Sequence, residues 1–134
     1  MPHLTIAESR CIGCLLCQVA CTYKHFGEFA TERSRIRIEQ ITNGDFIKVN
    51  ARICRFCRVK YCVNACSRGA LRVVGDVVEV DTSRCDRCYS CVVACPYGAI
   101  SIDPTTGYPL ICDLCGGDPE CVKWCPVHAI EYVP

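Results

Sequence analysis

Sixteen cysteines stand in four groups of four along a chain of 134 residues, with none left over. The first group, CIGCLLCQVAC over 11–21, is spaced C-x2-C-x2-C-x3-C, and the third, CDRCYSCVVAC over 85–95, repeats that spacing. The second, over 54–66, is C-x2-C-x4-C-x3-C, and the fourth, over 112–125, is C-x2-C-x5-C-x3-C. Thiolates are soft ligands, so the candidate chemistries are soft-metal binding and disulfide formation. Three cysteines at C-x2-C-x2-C can turn their sulfurs inward from one tight loop and take three corners of a 4Fe-4S cubane. The fourth, three residues on, cannot easily join them. Where two such motifs share a fold it serves the other cluster, so the motifs exchange their fourth ligands.

Zinc and disulfides are the competing readings. Structural zinc uses two C-x2-C pairs and gives no reason for a third cysteine and then a fourth at x3, four times over. Disulfides need an oxidising compartment, and MPHLTIAESR shows neither a basic and apolar leader nor twin arginines ahead of Cys11, which favours a cytoplasmic setting. The pattern favours four 4Fe-4S clusters. No apolar run reaches transmembrane length, so no direct membrane insertion is expected. A formal charge of +1 argues against a nucleic-acid partner. Four cluster-thiolate units of charge 2− would bring the loaded chain to about −7.

The elements that must position these ligands are short. Cysteine at roughly 12 per cent, 16 of 134 residues, points to a chain scaffolded by its sulfurs rather than by a large apolar core. After Cys66, Cys95 and Cys125 the sequence reads as a short helical turn and then an alternating strand, with return strands after Gly75 and Gly107. RIRIEQITNGDFIKVNARI reads as two strands joined around Asn43 and Gly44. The expectation is one compact unit over 1–134, made of two halves of two motifs each, with a boundary near 70–84.

The four motifs together, the x4 gap of the second and CPYGA after the third resemble the four-cluster electron-transfer subunits of the dimethyl sulfoxide reductase iron-sulfur type, over most of the chain from Cys11 to about Ile130. The resemblance implies an α+β, tandem bacterial-ferredoxin-like fold of two pseudo-symmetric modules with short helices and β-hairpins. It implies one cluster on Cys11, Cys14, Cys17 and Cys125 and a second on Cys112, Cys115, Cys121 and Cys21. A third would sit on Cys54, Cys57, Cys62 and Cys95, and a fourth on Cys85, Cys88, Cys91 and Cys66. It also implies a non-catalytic subunit that relays single electrons to or from a catalytic partner. The small, insertion-poor form points to a tungsten or molybdenum pterin enzyme of the aldehyde oxidoreductase kind. A hydrogenase, formate dehydrogenase or carbon monoxide dehydrogenase is the second choice of partner, and a ferredoxin or flavin subunit would serve the other end. A freestanding polyferredoxin is the alternative function.

No paired carboxylates, Ser-His-Asp set or GxGxxG loop suggests a substrate pocket. His3, His25 and His128 read as surface or capping residues, since cysteine already supplies every ligand. Trp124, Tyr89 and Tyr97 read as shields packed beside the motifs. Arg52, Arg55, Arg58, Lys60, Arg68 and Arg72 read either as a docking surface for an acidic partner, the favoured reading, or as tuners of a nearby cluster's potential.

Overall fold

The computed structural model of the protein describes residues 2–134, the side chains of residues 43, 46 and 47 excepted. Its helices are α1 (Leu16–Phe26), α2 (Tyr61–Ala65), α3 (Ser90–Ala94) and α4 (Glu120–Trp124). Each starts one residue before the third cysteine of its group. The three short ones close on the fourth, with Cys66, Cys95 and Cys125 as C-caps. The helical turn expected after the fourth cysteine therefore lies before it, because the x3 gap spans about one turn of helix.

Termination is local chemistry. Pro96 and Pro126 push the preceding cysteine out of the helical region, and Cys95 and Cys125 take extended ψ values of 114° and 113°. Cys66 makes the same break before Ser67, at ψ 104°. Thr22 follows Cys21 without breaking the helix, and α1 runs on to Phe26. It ends at Gly27, whose φ of 70° is left-handed and whose N–H donates to the Tyr23 carbonyl at 2.9 Å.

Beyond each short helix the chain passes a left-handed residue: Gly69 at φ 64°, Gly98 at φ 59° and His128 at φ 52°. A side chain costs roughly 1–2 kcal/mol in this conformation, and His128 is exposed. His128→Gly is expected to stabilise the loaded protein by about 1 kcal/mol, read as a higher midpoint for thermal loss of the visible absorbance. An unchanged or lower midpoint would show that the imidazole contributes contacts that outweigh the strain.

The strands form four antiparallel pairs: β1 (His3–Ile6) with β8 (Ile130–Val133), β2 (Arg37–Asn43) with β3 (Phe46–Arg52), β4 (Leu71–Val74) with β5 (Val77–Val80), and β6 (Ser101–Ile102) with β7 (Pro109–Leu110). The last three are hairpins at the expected places, and the first hairpin turns at Gly44 and Asp45, one residue later than expected. Pairing of β1 with β8 joins the chain's two ends.

Helix packing follows the same plan, since α1 lies against α4 and α2 against α3. The two modules are thus nested. The first and fourth motifs build one and the second and third build the other, rather than two successive halves. A boundary near 70–84 would cut the β4–β5 hairpin in the inner module. Repetition along the chain shows which segments are alike, but only side-chain packing selects which of them pair.

The modules are tied together by a buried ion pair. Asp103, 2 % exposed, accepts from Arg33 Nε and Nη2 at 2.9 Å each, and from Thr105 N–H and the Thr106 hydroxyl in its own turn. The guanidinium holds the Asp103 carboxyl down to about 2. Arg33 also lies 3.6 Å from the centroid of the Phe26 ring. No helix among the described residues is long and apolar enough to cross a membrane.

Candidate metal centres

Sulfur placement follows from these elements: a ligand loop, a helix and a turn deliver the four cysteines of each group to two different pockets. The x2 loops close through left-handed residues, among them Gly13, Leu15, Phe56, Arg87 and Tyr89, which wrap the backbone around a centre. Gly13 N–H donates to Cys11 Sγ and Phe56 N–H to Cys54 Sγ, both at 3.4 Å.

Every cysteine lines one of four pockets. Cys11, Cys14 and Cys17 meet Cys125 under Ile6, Ile38 and Ile130. Cys112, Cys115 and Cys121 meet Cys21 beside Leu4, Ile36, Ile53 and Leu114. Cys54, Cys57 and Cys62 meet Cys95 against Val78, Ile100 and Ile111. Cys85, Cys88 and Cys91 meet Cys66 against Ala70, Leu71 and Pro109. Each pocket sets four sulfurs against apolar walls, so one kind of group suits all four. Four sulfurs, apolar walls and backbone N–H donors to sulfur are what a 4Fe-4S core requires.

Protonation divides the sulfurs by position. Burial pushes the Cys17 and Cys121 thiols up to about 12, Cys91 up to about 11 and Cys112 well above its ordinary value. These groups hold their protons until a cationic core displaces them, so metal loading releases protons. Cys66, Cys125 and Cys21, each the fourth of its group, behave oppositely. Burial opposes ionisation of Cys66 and Cys125, yet the N–H groups of the following turn outweigh it and lower both thiols. Among these donors Ala70 and Ala129 lie 3.3 Å from their sulfurs. Cys21 is lowered by His25 and by Arg35 N–H, again against burial.

The pockets adjoin in succession. Cys17 of the first and Cys121 and Cys112 of the second share one packed cluster with Cys54 of the third, and Cys54 and Cys62 of the third share another with Cys91 of the fourth. Cys14 and Cys88, the two exposed cysteines, belong to the two end pockets.

Residues beside the pockets differ in part from the sequence reading. His25 is not a surface residue: its side chain is 12 % exposed and its Nε2 lies 3.0 Å from Asp113 Oδ1. Its Nδ1 lies 2.8 Å from the Cys21 carbonyl and 3.7 Å from Cys21 Sγ. Burial disfavours charge on His25, but Asp113 and Cys21 outweigh it and raise the imidazole to about 9. Asp113 also accepts from Arg35 at 3.2 Å. Continuation of α1 past Cys21 places His25 one turn beyond that cysteine, and the missing proline after Cys21 does not announce it, since Cys66 ends its helix before Ser67. Tyr89 and Tyr97 line the fourth and third pockets, whereas Trp124 is absent from the described linings.

Comparison with known proteins agrees with this geometry. Family profiles described as a 4Fe-4S binding domain match residues 8–24 and 77–100. The aliphatic sulfonate oxidoreductase, polyferredoxin-like subunit, of Pyrococcus furiosus is 40% identical over 125 residues, covering 91% of this chain and 70% of that one. The thiosulfate reductase electron transfer subunit PhsB of Salmonella typhi is 34% identical, with 93% and 71% covered. The B subunit of the anaerobic dimethyl sulfoxide reductase of Escherichia coli is 33% identical, with 96% and 71% covered. Among solved structures, a subunit of the BamBC active site complex of benzoyl coenzyme A reductase, in complex with zinc, superposes with a TM-score of 0.56. It is 26% identical, with 99% of this chain and 78% of that one covered.

Proposed function

Because this chain belongs to the family of iron-sulfur electron-transfer subunits that includes the B subunit of dimethyl sulfoxide reductase, we propose that each of its four pockets is the ligand set of one cluster and that its catalytic partner is a tungsten or molybdenum pterin oxidoreductase. The chain is a non-catalytic electron-transfer subunit of an oxidoreductase complex and carries four 4Fe-4S clusters. Bound clusters supply one-electron oxidation and reduction. The protein holds them in succession, walls the second pocket with Ile53 and Leu114 and the third with Val78, Ile100 and Ile111, and directs N–H groups at the sulfurs.

The observation that carries the assignment is the meeting of three cysteines from one motif with the fourth of another, in all four pockets. The ligand sets are Cys11, Cys14, Cys17 and Cys125; Cys112, Cys115, Cys121 and Cys21; Cys54, Cys57, Cys62 and Cys95; and Cys85, Cys88, Cys91 and Cys66. The pterin partner rests on the small, insertion-poor form of the chain and on relatives named as subunits of oxidoreductases. A cytoplasmic location rests on the reduced thiol chemistry that cluster assembly requires.

Anaerobic purification of the native complex tests both parts. About sixteen iron and sixteen sulfide per chain are expected, with a large partner at fixed stoichiometry that contains tungsten or molybdenum. Stoichiometric zinc without iron would overturn the ligand assignment. A partner lacking both pterin metals would overturn its proposed identity.

A further inference from the structure

Charge is distributed unevenly over this chain. Residues 51–75 hold six cations, Arg52, Arg55, Arg58, Lys60, Arg68 and Arg72, and no carboxylate. Residues 103–134 hold five carboxylates and one lysine. The cationic stretch contains the second motif, whose x4 gap is two residues longer than the x2 gap of the first and third. That longer loop carries Arg58, Val59 and Lys60 between Cys57 and Cys62.

Part of this stretch lies on the outer wall of the third pocket, with Arg58 and Val59 on the loop between Cys57 and Lys60. Arg55, Lys60, Tyr61 and Tyr97 line the pocket together with Cys57. Val59, Tyr61 and Tyr97 are 54 %, 48 % and 49 % exposed, an apolar and aromatic centre among the cations. Arg55 Cζ stands 5.7 Å from the centroid of the Tyr97 ring. Arg52 is paired with Glu39 at 3.3 Å, and Lys60 Nζ donates to the Asp76 carbonyl at 3.2 Å. Arg55 and Arg58 are exposed and make no ion pair among the described residues. At the Cys88 end, by contrast, Arg68 is matched by Asp86 and Arg84 by Asp81.

Unmatched guanidinium groups around an exposed aromatic patch suit a brief encounter better than a permanent contact. Charge steers the approach and the small apolar centre sets the docked distance. We propose that this face, centred on Arg55, Arg58, Tyr61 and Tyr97, is the docking site for an acidic one-electron carrier protein, distinct from the contact with the catalytic subunit. The proposal rests on the electron-transfer reading above. One electron leaves the carrier as the chain gains one, or the reverse, with no bond or proton transferred.

The test uses the loaded complex and the charge-reversing variant Arg58→Glu, at a residue outside the lining of the third pocket. The second-order rate constant for reduction by a small acidic two-cluster ferredoxin is expected to fall about tenfold or more at low ionic strength, and its salt dependence to flatten. Reduction by the radical of methyl viologen, a cation, is expected not to slow. Arg58→Gln, a milder change, should shift the ferredoxin rate in the same direction. Equal slowing with both reductants would assign Arg58 to cluster potential and overturn the docking site. An unchanged ferredoxin rate would do the same, and so would loss of the catalytic subunit from the purified complex. Iron content and viologen reducibility report separately on the electron-transfer reading itself.

Discussion

Cys125→Ser is expected to abolish the cluster of the N-terminal motif, more than a hundred residues away in sequence, rather than a cluster of its own motif. Cys125 Sγ lines the pocket of Cys11, Cys14 and Cys17 and is held there by Ala129 N–H at 3.3 Å. Iron should fall from about sixteen to about twelve per chain, since a cubane of this type needs four thiolates. The diagnostic is which signal disappears. Redox titration followed by electron paramagnetic resonance should show Cys125→Ser and Cys14→Ser losing the same centre. Cys21→Ser and Cys115→Ser should both lose a different one. If Cys125→Ser instead shares its missing signal with Cys115→Ser, each motif keeps its own fourth ligand and the crossed assignment fails. Metal binding is folding free energy in so small a chain, so each of these variants should also lose stability.

The second large effect concerns the contact between modules. Asp103→Ala leaves Arg33, 11 % exposed, without its buried carboxylate and strips the β6–β7 turn of two hydrogen bonds. Removing one partner of a buried pair costs about 3–5 kcal/mol. Arg33 keeps Glu28 at 2.7 Å and the Phe26 face, so the lower end applies. The midpoint for thermal loss of cluster absorbance should drop by on the order of 10 °C. Asp103→Asn retains an acceptor for the turn and should fall between variant and native. Because the pair joins the turn Thr31–Arg33, between α1 and β2, to the inner β6–β7 hairpin, coupling between the second and third centres should weaken with it. An unchanged midpoint would show that the modules are held by packing through Ile53, Phe56 and Leu114 alone.

The candidate ligands were legible in the sequence because cluster binding imposes local rules. Three sulfurs from one loop demand x2 or slightly longer gaps, and a fourth one turn on demands x3, so sixteen cysteines could be parsed without any knowledge of the fold. The hairpins at Gly44, Gly75 and Gly107 were legible for the same reason, since turn chemistry is settled within a few residues. The helices were misplaced by a few residues, because proline after the fourth cysteine marks where a short helix stops rather than where one starts.

Other features depend on contacts that no local pattern encodes. His3–Ile6 carries only four strand residues, and its partner Ile130–Val133 lies at the opposite end of the chain. His25 gained its role from Asp113, 88 residues away, and from a helix that continued where its counterparts stopped. Arg33 and Asp103 each look like ordinary surface charges until folding removes both from water. The succession of pockets likewise arises where the inner and outer modules meet, at the cluster that Cys54 and Cys112 share. By itself the sequence determined that the chain carries four 4Fe-4S centres and which cysteines fall together in short loops, because ligand geometry is short-ranged. Tertiary structure alone decided the nesting of the modules, the order of the pockets and which charges stay exposed, because burial and pairing depend on residues that only folding brings together.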